Sequence, residues 1–236
     1  MKKIFLSLLV VISLFMITGC VRQSAKDFKE EYEAINGRTI RDDIKYRDLT
    51  IPEENPYIKV SIDDIAEKIK NKETFYLYVG DPLCPWCRSG LEKMIEVANK
   101  EGIKDIYYVD FWDDEHNEIL RDLYSIEKVE DEVVITKTRE PEEGYKVLYN
   151  AVYDFIQDYT VMLDGTEYTV GQGVKKVYGG DHFYFQDGVC MKYVSLRSDK
   201  LVKANDPLTE EVLKDQENMF TEFFAKKNVC TGDENC

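Results

Sequence analysis

The chain has 236 residues, with 31 Lys and Arg against 46 Asp and Glu, a formal net charge of −15. That balance excludes nucleic acid as a partner, because phosphate recognition needs clustered Lys and Arg. It also provides no electrostatic hold on an anionic membrane, and the acidity is read as solvation of exposed faces rather than as a partner surface.

Lys2 and Lys3 precede an apolar run over 4–17, broken only by Ser7 and Ser13. A basic start, a short apolar core and small residues at its end predict an export signal over 1–19. The run is marginal for a spanning helix, which needs roughly 20 apolar residues. It closes on Ile17-Thr18-Gly19-Cys20, which resembles the lipobox of bacterial lipoproteins; the alternative is an ordinary signal peptide with a chance cysteine. The lipobox implies a diacylglyceryl group on the Cys20 thiol and a mature protein anchored on the extracytoplasmic face of the cell membrane. Two acyl chains would suffice, since each buried methylene contributes about 0.8 kcal/mol.

Residues 20–56 are polar and highly charged, with Asn36-Gly37 and Pro52-Glu53-Glu54-Asn55-Pro56 as breakers, and read as a tether. Within it a helical piece falls near 27–35 and a short edge strand near 46–51. From Tyr57 the elements come quickly: a strand over 57–60, a helix to about residue 71 opened by the capping box Ser61-Ile62-Asp63-Asp64, and an apolar β-prone run over 75–80. A helix then begins within Cys84-Pro85-Trp86-Cys87, with Leu91, Met94, Ile95 and Ala98 on one face, and stops at Gly102. A strand over 106–111 follows. Alternating strands and helices predict a parallel sheet with right-handed crossovers.

Residues 112–173 are expected to hold a helix over 114–124, a β-prone stretch over 133–138, a Tyr- and Phe-rich helix over 141–158 and a hairpin turning at Asp164-Gly165. A second hairpin turns at Gln186-Asp187-Gly188. The last helix starts at Asp206 or Thr209 and spaces Val212, Leu213, Met219, Phe220 and Phe223 for one buried face.

Cys84 and Cys87 carry the chemistry. Their CxxC lies between an apolar strand and the first turn of a helix, where unpaired N–H groups and the helix dipole favour a thiolate on Cys84. Cys84 would attack a disulfide, and Cys87, one turn on, would resolve the mixed disulfide. The rivals are a zinc half-site, which lacks a second cysteine pair at matching spacing, and a structural disulfide, whose small loop constrains little. No metal or organic cofactor is expected. Three cysteines remain beyond the motif and Cys20. Cys230 and Cys236 flank a short flexible loop and pair into a C-terminal disulfide, or one of them pairs with Cys190, which is otherwise a buried thiol on its strand. His116 and His182 are isolated in the sequence, and Arg88 reads as solvated.

The stretch 57–110, with Gly80-Asp81-Pro82-Leu83-Cys84-Pro85-Trp86-Cys87-Arg88 at its centre, resembles thioredoxin-fold proteins. It is most similar to thioredoxin-like lipoproteins of Gram-positive bacteria, a group related to bacteriocin-transport accessory proteins. Tyr32-Glu33-Ala34-Ile35-Asn36-Gly37 and Ile51-Pro52-Glu53-Glu54-Asn55-Pro56 also match that group, and the similarity resumes over 175–195. The resemblance implies an α/β fold, a central mixed sheet flanked by helices, over 57–204. Residues 112–173 would be an insertion, and 205–236 the last helix and tail of the same domain.

It further implies a membrane-anchored thiol–disulfide oxidoreductase. Its partners would be the thiols and disulfides of exported proteins, or a membrane redox partner. Pro85, Trp86, Gly180 and Asp181 would line the substrate groove. Two positions depart from the family. Its cis-proline falls at Gly180, whose backbone would still present an amide or carbonyl to a bound peptide. Its buried acid falls at Tyr78, read as a core aromatic. The alternatives are a redox-inactive accessory or binding lipoprotein of the same fold, and metal binding at the CxxC.

Overall fold

The computed structural model describes residues 22–41, 44–113 and 117–225. The expected export signal, Cys20, His116, Cys230 and Cys236 lie outside them. The chain is α/β: a mixed five-stranded sheet with helices on both faces.

The segment expected as a tether is part of the packed fold. Helix α1 (Gln23–Glu33) spaces Ala25, Phe28 and Tyr32 on one stripe, and all three are buried. Strands β1 (Thr39–Arg41) and β2 (Ile44–Lys45) pair as a small ribbon, and Leu49 and Ile51 then enter the same core as Phe28 and Tyr32. Asn36 pins this return by accepting from Leu49 N at 2.9 Å and donating to its carbonyl at 2.8 Å.

Strand β3 (Tyr57–Lys59) leads into α2 (Ile62–Lys70), where Ser61 and Asp64 form the expected capping box. Next come β4 (Phe75–Gly80), α3 (Pro85–Lys100) and β5 (Ile106–Asp110). β5 sits between β3 and β4 and is parallel to both. These three strands form the expected parallel part of the sheet, and on the far side of β4 the hairpin strands β12 and β13 described below add antiparallel, so the sheet is mixed as expected.

The expected helix over 114–124 does not form within the described residues 117–124. Instead Ile119 N donates to Phe111 O at 2.9 Å and Asp113 N to Asn117 O at 3.1 Å, so the chain doubles back as extended backbone. Glu118 and Arg121, three apart, suit a helical ion pair in sequence. Here they bind each other while Arg121 stacks on the Phe111 ring at 4.0 Å and donates to Val177 O. Tertiary contacts thus override the helical spacing. A hairpin follows, β6 (Leu123–Val129) with β7 (Glu132–Arg139), then α4 (Glu143–Val152), shorter than expected. Strand β8 (Gln157–Asp158), the hairpin β9 (Thr160–Leu163) with β10 (Thr166–Thr169), and β11 (Lys175–Lys176), which pairs with β8, complete this region.

Strands β12 (Asp181–Gln186) and β13 (Val189–Ser195) give the sheet order β13-β12-β4-β5-β3. Helix α5 (Glu210–Phe224), capped by Thr209, buries Val212, Gln216, Phe220, Phe223 and Phe224. Leu213 and Met219 are only half-buried. Helices α1, α3 and α5 cover one face of the sheet, and α2 and α4 the other. Cys190 is buried on β13, with its sulfur 3.6 Å from Lys192 O. Among the described residues no helix is long and apolar enough to cross a membrane.

Candidate active site

The strand-to-helix turn after β4 builds the site. Asp81 Oδ1 accepts from Leu83 N at 2.7 Å, and Asp81 O accepts from Cys84 N at 3.1 Å, which folds the chain back into the helix. Pro85 occupies the first helical turn, where its missing N–H costs nothing. Cys84 is the N-cap, and its Sγ accepts from Cys87 N at 3.2 Å. A helix-terminal N–H therefore points at the sulfur, which is partly exposed.

Cys87 lies one turn inward and is 0% exposed. Burial pushes its thiol well above the usual range, and the neighbouring Cys84 sulfur adds to this. Opposing the shift are the nearby Tyr78 hydroxyl and Asp81 backbone, which favour the charged sulfur. The two cysteines thus differ in kind: one reaches solvent, and the other is held in a closed pocket among fixed polar groups.

The residues named from the sequence fall around this pair unevenly. Trp86 is half-buried on the rim, with the Arg197 guanidinium 4.6 Å over its ring. Gly180 does not offer its backbone to a ligand. Its N–H donates to Val79 O at 2.9 Å, and its carbonyl accepts from Leu196 N at 3.0 Å and from His182 Nδ1 at 3.2 Å. Gly179 takes the expected position instead. A Cβ there would lie 3.1 Å from Cys87 Sγ and 3.2 Å from Cys84 Sγ, so a side chain at this position would have to push the sulfurs aside by a few tenths of an ångström, and glycine lets the backbone pass close to both. Asp181 shapes that passage. Its carboxylate accepts from Tyr178 N at 2.8 Å and from Tyr193 OH at 3.0 Å, and burial pushes it up to about 7.

Arg88, expected in solvent, is 1% exposed. Its guanidinium donates to Arg47 O (2.7 Å), Tyr32 O (2.8 Å), Pro82 O (3.3 Å) and Asn36 Oδ1 (2.6 Å). It fastens the N-terminal segment and the active-site turn to α3, and desolvation holds its pKa below the usual guanidinium value. Sequence reasoning also left Tyr32 and His182 out of the site. The sheet register aligns Tyr108, Tyr78, His182 and Val194 across β5, β4, β12 and β13, beneath the motif. Tyr78 and His182 stack at 4.4 Å, and the Tyr78 hydroxyl meets Tyr32 OH at 2.8 Å. Gly80 makes room for this, since a Cβ there would lie 2.2 Å from the Tyr78 hydroxyl. The 25, 28, 32 spacing on α1 was the available signal for Tyr32.

Among the described residues no three His, Cys, Asp or Glu side chains converge in a metal-binding group. Neither a search of protein-family models nor one of curated proteins finds a match to this chain.

Proposed function

We propose that this protein is a thiol–disulfide oxidoreductase of thioredoxin-like fold, lipid-anchored through Cys20 on the extracytoplasmic face of the membrane. Its clients are exported proteins or a membrane redox partner. One observation carries the reading: a partly exposed Cys84 caps a helix, with a buried Cys87 one turn behind it and the Gly179 backbone passing both sulfurs.

In the reducing direction, the Cys84 thiolate attacks a client disulfide, forming a mixed disulfide and releasing one client thiolate. Cys87 gives up its proton and attacks Cys84 Sγ. The Cys84–Cys87 bond forms, the mixed bond breaks, and the second client thiolate leaves with the electron pair. Oxidation of a client dithiol is the same sequence run backwards. The direction follows from the reduction potential, where about 30 mV corresponds to roughly 1.4 kcal/mol.

The test is a redox titration of the purified protein, with thiols trapped by alkylation and peptides read by mass. The Cys84–Cys87 pair should cycle reversibly at one potential, and Cys84→Ser should abolish turnover. A folded protein whose pair never cycles would replace this reading with client binding without electron transfer.

A further inference from the structure

The segment that follows β13 is pinned on both sides of one exposed residue. Leu196 is fully buried, and its N–H donates to Gly180 O at 3.0 Å. Its carbonyl packs so close to α3 that a Cβ on Gly90 would lie 2.5 Å from it. Ser198 is also fully buried, and its hydroxyl donates to Asp215 Oδ2 on α5 at 2.6 Å. Between them Arg197 is exposed, with its backbone N–H held by Ser195 Oγ at 3.3 Å. The backbone that carries this side chain is thus fixed to α3, to α5 and to the glycine pair that passes the two sulfurs.

The side chain itself lies on the active-site rim. Its guanidinium sits 4.6 Å over the ring of Trp86, which follows Cys84 by two residues in the first turn of α3. Stacking on a ring occupies one face of the guanidinium and leaves its N–H edge for acceptors. Arg22, Arg47, Arg88, Arg121 and Arg139 all give that edge to protein oxygens. Arg197 gives it to none among the described residues, and no carboxylate there stands within ion-pair distance of it. Asp81, the acid of the active-site turn, accepts from Leu83 N instead. In a chain with 46 Asp and Glu, a preorganised cation beside the nucleophile is left without an acceptor of its own.

We propose that Arg197, seated on Trp86, is a specificity-determining residue that takes a client carboxylate beside the disulfide under attack, so that the preferred clients are acidic around their cysteines; this rests on the oxidoreductase reading. The net charge of −15 opposes such clients only at long range, because salt screens it over about 8 Å. At contact the planar guanidinium meets a planar carboxylate through two parallel N–H···O bonds. A fixed backbone and a ring-stacked head leave little side-chain freedom to lose on binding. Arg197 selects the client, and bond exchange stays with Cys84 and Cys87.

The experiment oxidises purified, fully reduced full-length protein with three small disulfides: glutathione disulfide, which is anionic, neutral 2,2′-dithiodipyridine and cationic cystamine. Samples are quenched with acid, alkylated, and the peptide carrying Cys84 and Cys87 is read by mass. The measure is the ratio of the second-order rates for glutathione disulfide and cystamine, from which any general change in Cys84 reactivity cancels. In Arg197→Gln the ratio should fall about threefold or more at low salt, the size of an exposed ion pair, and the fall should shrink as salt is raised. Arg197→Lys should keep most of the ratio. Lys100→Gln, which removes the same charge at the far end of α3, should leave it unchanged. An Arg197→Gln protein slowed equally with all three disulfides overturns the proposal, since Arg197 would then only support Trp86. So does an unchanged ratio, or an equal fall in Lys100→Gln. Wild-type protein that forms no Cys84–Cys87 bond with any of the three overturns the oxidoreductase reading itself.

Discussion

Strand β4 presents two chemistries on its two faces. Phe75, Leu77 and Val79 point toward α2 and α4 and meet Ile65, Leu148, Val152, Phe183 and Phe185, a hydrocarbon core. Tyr76 and Tyr78 point toward α1, α3 and α5, where hydroxyls, an imidazole and a thiol are threaded among the aliphatic side chains. A strand places alternate residues on opposite faces, so one six-residue run serves both. The dry face supplies stability that does not depend on any donor's direction. On the other face each polar atom needs a partner, because an unpaired one costs about 1–3 kcal/mol, and that requirement fixes the polar groups around Cys87. Stability and reactivity are divided by the sheet.

The largest expected effect breaks the dry face. Phe185 is fully buried and stacks on Phe75 at 4.7 Å. Phe185→Ala should cost about 3–5 kcal/mol, measured by denaturant unfolding, while the potential of Cys84–Cys87 in the folded variant stays at the wild-type value. A shifted potential would mean that the two faces are coupled.

On the other face, Arg88→Met keeps the aliphatic stem and removes the guanidinium from four oxygen acceptors. A loss of about 3 kcal/mol is expected, from acceptors left without donors. Because Tyr32 O and Arg47 O are among them, residues 32–47 should also become the first site cut by limited proteolysis. An unchanged cleavage pattern would show that Asn36 and the α1 stripe hold the segment without Arg88.

The legibility of the molecule follows the same division. Local patterns announced β3, α2, β4, α3 and both later hairpins, because period and capping are properties of neighbouring residues. The placing of the CxxC at a helix start was legible for the same reason. Contacts between distant segments were not. Tyr32 and Tyr78 are 46 positions apart, and the burial of Arg88 depends on carbonyls from three separate stretches. Counting back from the Asp187-Gly188 turn led to Gly180. The turn that Asp181 closes on Tyr178 N swings Gly179 onto the sulfurs instead. The Glu118–Arg121 spacing misled because tertiary partners outweighed a helical pair worth a few tenths of a kcal/mol.

The smallest effect sharpens the comparison within β12 itself, where Asp181 and His182 titrate in opposite senses. Burial pushes the Asp181 carboxyl from 3.8 up to about 7 and the His182 imidazole from 6.5 down to about 3. A carboxyl raised in the folded state contributes stability that is complete below its unfolded pKa and is lost as pH rises through the folded value. A depressed imidazole contributes stability that is complete above its unfolded pKa and is lost as pH falls through the folded one. Between 3.8 and 6.5 the two slopes oppose each other and largely cancel. Asp181→Asn keeps acceptor and donor atoms for Tyr178 N and Tyr193 OH but removes one slope. The variant should therefore gain on wild type by about 1.4 kcal/mol per pH unit as pH rises from about 5 toward 7, and then level off. Urea unfolding across that range reads the difference directly. A gap that stays constant would mean that Asp181 is already a carboxylate in the native protein, stabilised by its two donors against the cost of burial.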